Sequence, residues 1–473
     1  MGNPKAFLTI NRKEAGYRPI EERKYDFGEV EQTLNAEDRR LQASRCMNCG
    51  VPFCHWACPL GNKQPEWQDF LYKGKWKDAY ISLTSTNDFP EFTGRICPAL
   101  CEKSCVLNLS GQPVTIRENE ASITERAYNE GIVVPRIPKV RSGKQVAVIG
   151  SGPSGLAAAN QLNHMGHTVT VFEKNEFCGG LLRLGIPDFK LNKNIIERRL
   201  KVMKAEGVTF QTSTCIGKDI PVKEIMDKFD AVCVAIGSEV PRDLPAPGRE
   251  LKGVYFALQL LQQQNRVIAG EHIEPADRIS AKGKKVLVIG GGDTGSDCVG
   301  TAIRQGAEKV MQIEIMPMPP IGHNPETPWP MYPRVLKTSS SHEEGCERRW
   351  CLDTKQFIGK NGVLTGVEVE EVVWTKDDAG KMQLARTGKT EIIPADLVLL
   401  AMGFVHPRHD GLVEDLKLEK DGRGNIQTDK SLHTSVDKVF AAGDSHTGAS
   451  LVVRAIDSGR KAAAAIDKFL CEK

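Results

Sequence analysis

The chain has 473 residues, 40% of them hydrophobic and 26% charged, with a formal net charge of +3. That composition can bury ordinary cores and excludes a wholly disordered polypeptide; at roughly 150 residues per domain it predicts about three domains. No run of about 18 apolar residues occurs, so no membrane span is expected, and the near balance of charge gives no reason to expect nucleic acid.

Met1 to Glu22 is polar and lacks an apolar stretch before a small-residue cleavage site, so a cytoplasmic protein without a secretory leader is expected. Fourteen cysteines are the unusual feature, and seven of them fall between Cys46 and Cys105. They read Cys46-x2-Cys49-x4-Cys54-x3-Cys58-Pro59 and Cys97-Pro98-x2-Cys101-x3-Cys105. Bunched cysteines in a long chain of this kind point to metal rather than disulfides. Zinc favours two C-x2-C knuckles, and only Cys46 and Cys49 form such a pair. Iron–sulfur clusters favour a tight run plus a distant ligand, and a ferredoxin-like run ends in Cys-Pro, with the last cysteine serving the other cluster. Clusters are therefore favoured over zinc, and over purely structural thiols. Two four-iron clusters need eight ligands, so either one iron stays open or a residue other than cysteine joins. Glu120 is one of several acidic candidates; the alternative for it is a solvated helix position.

Trp67, Phe70, Leu71, Trp76 and Tyr80 are expected to form the core of this first module. Val134 to Gly143 is Pro-rich and basic and reads as a linker. Lys144 to Gly150 is then a short apolar run of buried-strand type, leading into Gly150-Ser-Gly152-Pro153-Ser154-Gly155, a helix-forming stretch, and a second strand ending at Glu173. This is a dinucleotide-binding unit. Gly150 permits the tight turn, Gly152 admits a pyrophosphate, Gly155 lets the helix pack on the sheet, and Glu173 can accept from ribose hydroxyls. The pattern recurs at Lys284 to Gly290, Gly290-Gly-Gly292-Asp293-Thr294-Gly295, a helix over Ser296–Gln305, and a strand from Lys309 to Glu314. Two complete units predict two nucleotide cofactors.

Between them, Asp230 to Gly237 and Asp396 to Gly403 are matching buried strands that end in glycine and return the chain from one unit to the other. Pro317 to Pro333 holds seven prolines and predicts a long ordered loop. Near the end, Lys438 to Gly443-Asp444 is followed by Ser450-Leu451 and a helix. Asp444 there is placed to hold the ribityl hydroxyls of a flavin, with a plain Asp-capped helix as the alternative.

The whole arrangement resembles the two-dinucleotide-binding flavoprotein reductases of the glutathione-reductase type, and more narrowly the small (beta) subunits of glutamate synthase. Arg45-Cys-Met-Asn-Cys-Gly, Pro52-Phe-Cys-His-Trp-Ala-Cys-Pro, Phe89 to Pro98, Gly179 to Lys190 and Gly443 to Ile456 carry the resemblance, which covers essentially the whole chain. It implies an α/β architecture: a helical iron–sulfur module, then FAD and NAD(P) domains, the second inserted in the first. Expected boundaries are 1–135 for the cluster module, 140–252 with 403–473 for the FAD domain, and 253–402 for the NAD(P) domain. The resemblance implies Cys46, Cys49, Cys54 and Cys105 on one [4Fe-4S] cluster, and Cys58, Cys97, Cys101 and Glu120 on the other. Lys174, Gly180, Leu181 and Arg183 join the FAD-site candidates, with Gly237, Gly443, Ser450 and Leu451. Asp293, Thr294 and Gly403 join those for NADH or NADPH. No catalytic side chain is required for hydride transfer itself.

Disulfide reductases place a C-x4-C pair beside the flavin, whereas Cys178 stands alone, so electrons are expected to leave through the clusters. By resemblance they go to the large (alpha) subunit, which makes L-glutamate from L-glutamine and 2-oxoglutarate. A carboxylate at Glu314 favours NADH, because it accepts from a 2′-hydroxyl and repels a 2′-phosphate; Arg304 and Lys309 are the nearby cations able to answer a phosphate. Two rival readings are a ferredoxin:NAD(P) oxidoreductase subunit of the same fold and a zinc-stapled scaffold on a degenerate nucleotide fold.

Overall fold

The structure is a computed structural model that describes residue 3, residues 5–377, residue 380 and residues 382–472. Its strands, in chain order, are β1 (Gln145–Ile149), β2 (Thr168–Phe172), β3 (Thr209–Gln211), β4 (Ala231–Val234), β5 (Val254–Phe256), β6 (Lys285–Ile289), β7 (Lys309–Glu314), β8 (Glu347–Trp350), β9 (Leu352–Lys360), β10 (Val363–Lys376), β11 (Met382–Pro394), β12 (Leu397–Leu400) and β13 (Val439–Ala441). They make two five-stranded parallel sheets, ordered β13-β4-β1-β2-β3 and β5-β12-β6-β7-β8, and one antiparallel meander, β9-β10-β11. Only β13, far along the chain, completes the first sheet, so the second is inserted within the first.

The apolar runs of β1 and β6 form central strands because both faces of their sheets are covered. On β1, Val146 and Val148 face one core, shared with the helices Pro153–His164 and Val452–Cys471; Ala147 and Ile149 face the opposite core. The second sheet divides its side chains in the same way. Val286 and Val288 pack under the helices Ala257–Ile268 and Asp293–Arg304, while Leu287 and Ile289 pack under the meander through Val367, Val369 and Ile393. A meander thus replaces helices on one face of this sheet.

The N-terminal module is helical. Trp67, Leu71 and Trp76 are buried in its core, and Phe70 and Tyr80 pack against it. Charged side chains tie the module to the first sheet's layer. Arg199 bonds Glu91 (2.5 and 3.2 Å), and Asp88 accepts from Asn160 and Gln161 of the helix Pro153–His164 (2.5 Å each). Glu91 and Asp88 are buried, and the cost of desolvating them is offset by these charge-assisted bonds together with Arg460 on Asp88 and the Tyr128 hydroxyl on Glu91 (3.2 Å).

Candidate functional site

Four thiols, Cys46, Cys49, Cys54 and Cys105, line one cavity together with Gln64 and Gln68 of the helix Gln64–Tyr72. Cys58, Cys97 and Cys101 are electrostatic neighbours of one another and of Glu120. The two groups interleave in sequence, since Cys58 sits with the later cysteines and Cys105 with the earlier ones.

The backbone supplies donors to these sulfurs. Asn48 and Ala99, each two residues after a cysteine, adopt left-handed conformations (φ 50° and 55°) and turn their N–H groups onto Cys46 and Cys97. An L residue in that conformation costs about 1–2 kcal/mol, so the turns are held by what they serve. N–H groups of Leu60, Gly61 and Asn62 converge likewise on Cys58. Burial pushes the Cys46 and Cys97 thiols up to about 12 and Cys58 up to about 11. Free thiols in these pockets are therefore neutral, and only a bound metal would make them thiolates, with release of the protons. Soft sulfur donors ringed by N–H groups fit an iron–sulfur cluster in each group. Glu120 is buried, accepts from Asn87 Nδ2 (3.1 Å) and the Thr93 hydroxyl, and is raised by burial to about 7; it is not a solvated helix residue. Cys58 and Cys97 pack against the first sheet's core, whereas Cys46 and Cys54 pack on the module's own core. Cys101 packs on the module's own core as well, so the Cys58 group borders the flavoprotein fold through Cys58 and Cys97.

The Pro-rich loop reaches across to the other group. Trp329 packs against Phe53 with tilted rings (4.7 Å between centroids) and donates to the Cys105 carbonyl (3.3 Å), and Ser104 Oγ donates to the Pro330 carbonyl (2.7 Å).

At the first glycine corner, Gly150 has φ 104°, and a Cβ on Gly155 would overlap the Gly150 carbonyl; a Cβ on Gly152 would meet open space. That open space is the mouth of a cavity of about 740 Å³ lined by Gly150, Gly152, Pro153, Ser154, Glu173 and Lys174 on one side. Gly180, Leu181, Gly237, Asp444, Ser450 and Leu451 also face it, and Thr294 and Gly403 close it from the second sheet. Its size, the open approach at Gly152 and the free helix N-terminus fit a flavin dinucleotide. Gly155→Ala would force the helix off the strand, an overpacking cost of about 1–3 kcal/mol, or about a tenfold to hundredfold weaker hold on flavin. The expected result is protein purified with less FAD, read from the flavin-to-protein absorbance ratio. Arg183 turns elsewhere, to Glu197 and the face of Phe177. Gly443 lies beneath the site, where a Cβ would overlap Ser154.

The two units share one device. The Glu173 carboxylate accepts from Ser151 N (3.2 Å) and Oγ (2.5 Å), and that of Glu314 accepts from Gly291 N (2.5 Å). Each acid at the end of a second strand holds the residue that follows the first glycine; the other Glu173 oxygen accepts from Asn175 N (2.9 Å) and Nδ2 (2.6 Å), whereas the other Glu314 oxygen meets only the longer contact from Met316 N (3.4 Å). At the second corner Gly290 has φ 119°, a Cβ on Gly295 would overlap the Gly290 carbonyl, and Gly292 again faces open space, with Asp293 beginning the helix. Glu314 lies in a separate pocket lined by Arg334, Lys337, Arg348 and Arg349.

The cations expected beside Glu314 are placed differently. Arg304 is buried and paired with Glu344, and Lys309 pairs with Glu347. The sequence pattern favours nearby chain positions, whereas the cations that surround Glu314 come from the loop and from β8, a strand formed only by tertiary pairing with β7. Asp410 and Arg408 line the large cavity without any sequence signal that would have marked them.

Residues 23–132 match the family described as dihydropyrimidine dehydrogenase domain II, 4Fe-4S cluster, and residues 144–327 and 354–459 match pyridine nucleotide-disulphide oxidoreductase. The chain is 48% identical to the glutamate synthase [NADPH] small chain of Mycobacterium tuberculosis, covering 99% of this chain and 96% of that one. It is 41% identical to the Bacillus subtilis glutamate synthase [NADPH] small chain, covering 99% of each. It is 43% identical to glutamate synthase [NADH] of Saccharomyces cerevisiae, covering 99% of this chain but 22% of the yeast protein. Among solved structures, FprA of M. tuberculosis in complex with NADPH superposes with a TM-score of 0.57 at 18% identity, over 70% of this chain and 85% of that one, a likeness of fold.

Proposed function

This chain belongs to the family of glutamate synthase small chains, and on that footing we propose how its residues divide the work of an NAD(P)H-oxidising electron-transfer subunit. A bound flavin supplies the conversion of a two-electron hydride into single electrons, which iron–sulfur clusters carry onward. The Gly150–Gly155 corner and its helix N-terminus hold the FAD pyrophosphate, Glu173 the adenosine ribose, and Asp444 the ribityl chain. The Gly290–Gly295 corner holds the nicotinamide nucleotide. Thr294 and Gly403 bring the second unit to the wall of the flavin cavity, so both nucleotides meet there. Cys58, Cys97, Cys101 and Glu120 hold the cluster nearer the flavin; Cys46, Cys49, Cys54 and Cys105 hold the outer one. Residues 1–135, 140–252 with 403–473, and 253–402 are the corresponding domains. A separate large subunit receives the electrons, and cluster thiolates suit the reducing cytoplasm. No helix among the described residues is long and apolar enough to cross a membrane.

The observation that carries this reading is one cavity walled by both glycine-corner folds, with Cys58 and Cys97 packed on the same core. Anaerobically purified protein is expected to carry FAD and about eight irons with matching sulfide, and to reduce artificial acceptors with NAD(P)H. Zinc in place of iron, or no FAD, would overturn it. Co-purification with a large glutamate-forming chain, rather than a ferredoxin reductase subunit, separates the two electron partners.

Glu314 supports NADH as the donor. NADPH is a second reading with its own support, since Arg334, Lys337, Arg348 and Arg349 line the pocket of Glu314 and could meet a 2′-phosphate. Removing the carboxylate by Glu314→Ala is expected to raise kcat/KM for NADPH relative to NADH by about tenfold, about 1.4 kcal/mol of differential binding. An unchanged ratio would transfer specificity to the four cations.

A further inference from the structure

The outer thiol cavity contains two amides that the protein leaves without partners. Gln64 and Gln68 lie one helical turn apart on the helix Gln64–Tyr72, so both point to the same side, and both line the cavity of Cys46, Cys49, Cys54 and Cys105. Gln64 is 1% exposed and Gln68 fully buried. Neither amide atom of Gln64 has a hydrogen-bond partner, and Gln68 Nε2 lacks one as well. The Gln68 oxygen is already engaged, accepting from Asn119 Nδ2 (2.8 Å), which turns its NH2 group the other way. A buried amide without a partner costs about 1–3 kcal/mol, and two of them on one wall make up a polar surface built to meet something.

That something offers acceptors, because the free atoms of fixed orientation are donors. We infer that the Gln64 and Gln68 side-chain amides donate N–H···S hydrogen bonds to the cluster held by Cys46, Cys49, Cys54 and Cys105, and so raise its reduction potential. The inference rests on the cluster reading above. Reduction adds negative charge to the cluster, and donors aimed at its sulfurs stabilise the reduced form more than the oxidised one.

Gln64→Leu keeps the volume and removes the donor. Gln64 is the better site to change, since losing Gln68 would also strand buried Asn119. In anaerobic redox titrations of the full chain followed by electron paramagnetic resonance, one cluster signal is expected to titrate lower. A tenfold fall in its reduction equilibrium corresponds to 59 mV for a one-electron couple. The other signal, the iron and sulfide content and the FAD content should be unchanged. An intact variant whose two potentials match those of the parent would overturn the inference. A second measurement needs no variant. The parent protein, labelled with 15N in its glutamine side-chain amides and reduced, should show 15N and exchangeable-proton hyperfine couplings to a cluster; their absence also overturns the inference. Protein lacking iron altogether would instead refute the cluster reading itself.

Discussion

Replacing Cys97 with alanine is expected to remove one cluster and leave the flavin in place. Cys97 sits with Cys58, Cys101 and Glu120, and it packs against the core beneath the flavin cavity without lining that cavity. Loss of one thiolate from a four-ligand set opens the cluster to solvent and oxygen. Iron should fall from about eight to about four per chain while FAD stays stoichiometric. Flavin reduction by NAD(P)H, followed by bleaching in stopped flow, should change less than about twofold, because no thiol takes part in hydride transfer. Glutamine-dependent glutamate formation with the large chain should fall more than about a hundredfold, about 2.7 kcal/mol in effective barrier. Cys471→Ala, which removes an exposed thiol, should retain all the iron. A Cys97→Ala protein with a full iron complement and undiminished coupling would refute the assignment of this group. If flavin reduction were lost instead, the thiols would belong to the nucleotide site.

Glu344→Ala is expected to be the most destabilising single carboxylate replacement outside the cofactor sites. Glu344 sits between two guanidinium groups. Arg304 donates to both of its oxygens, and Arg23 Nε donates to Oε1 (2.8 Å). The Arg304 and Glu344 side chains are fully buried, and that of Arg23 is 3% exposed. The three residues come from different parts of the fold: Arg23 from the N-terminal module, Arg304 from the end of the helix on the second sheet, and Glu344 from the segment before β8. Phe189, from the first sheet's layer, stacks against Arg304 (3.9 Å), and its carbonyl accepts from Val30 N (3.0 Å). All three layers therefore meet at one carboxylate. Arg23 also bonds Glu343 (3.0 Å), so removing Glu344 strands chiefly the buried Arg304 guanidinium, a cost of about 3–5 kcal/mol. An exposed pair such as Lys309–Glu347 contributes less than about 1 kcal/mol. Unfolding should begin with the second sheet's domain, so the measurement is the midpoint of its transition in denaturant, resolved from the rest. A midpoint no lower than that of a Glu347→Ala variant would show that solvent reaches the junction.

The sequence on its own determined which local elements form and which chemistry they carry. The valine- and isoleucine-rich runs at β1 and β6 must be buried on both faces, because nothing in them alternates. The glycines at 150, 155, 290 and 295 are required where a turn takes φ near 100° or a helix meets a strand, and this is visible in one dimension because the whole unit spans about thirty residues. The aromatic core of the N-terminal module was legible for the same reason, at helical spacing. The tertiary structure alone decided everything that depends on residues distant in the chain. Spacing left Glu120 among several acidic candidates, and only the packing of its helix puts it beside Cys58, Cys97 and Cys101. In sequence Arg304 stands as a cation able to answer a phosphate because its partner Glu344 lies forty residues on, and burial of that pair follows from the junction of three layers. Arg348 and Arg349 line the pocket of Glu314 because β8 pairs with β7, a register that hydrogen bonding sets and hydropathy does not mark. Gln64 and Gln68 look like ordinary polar helix residues until the fold removes water from around them, and a donor matters only once its solvent is gone.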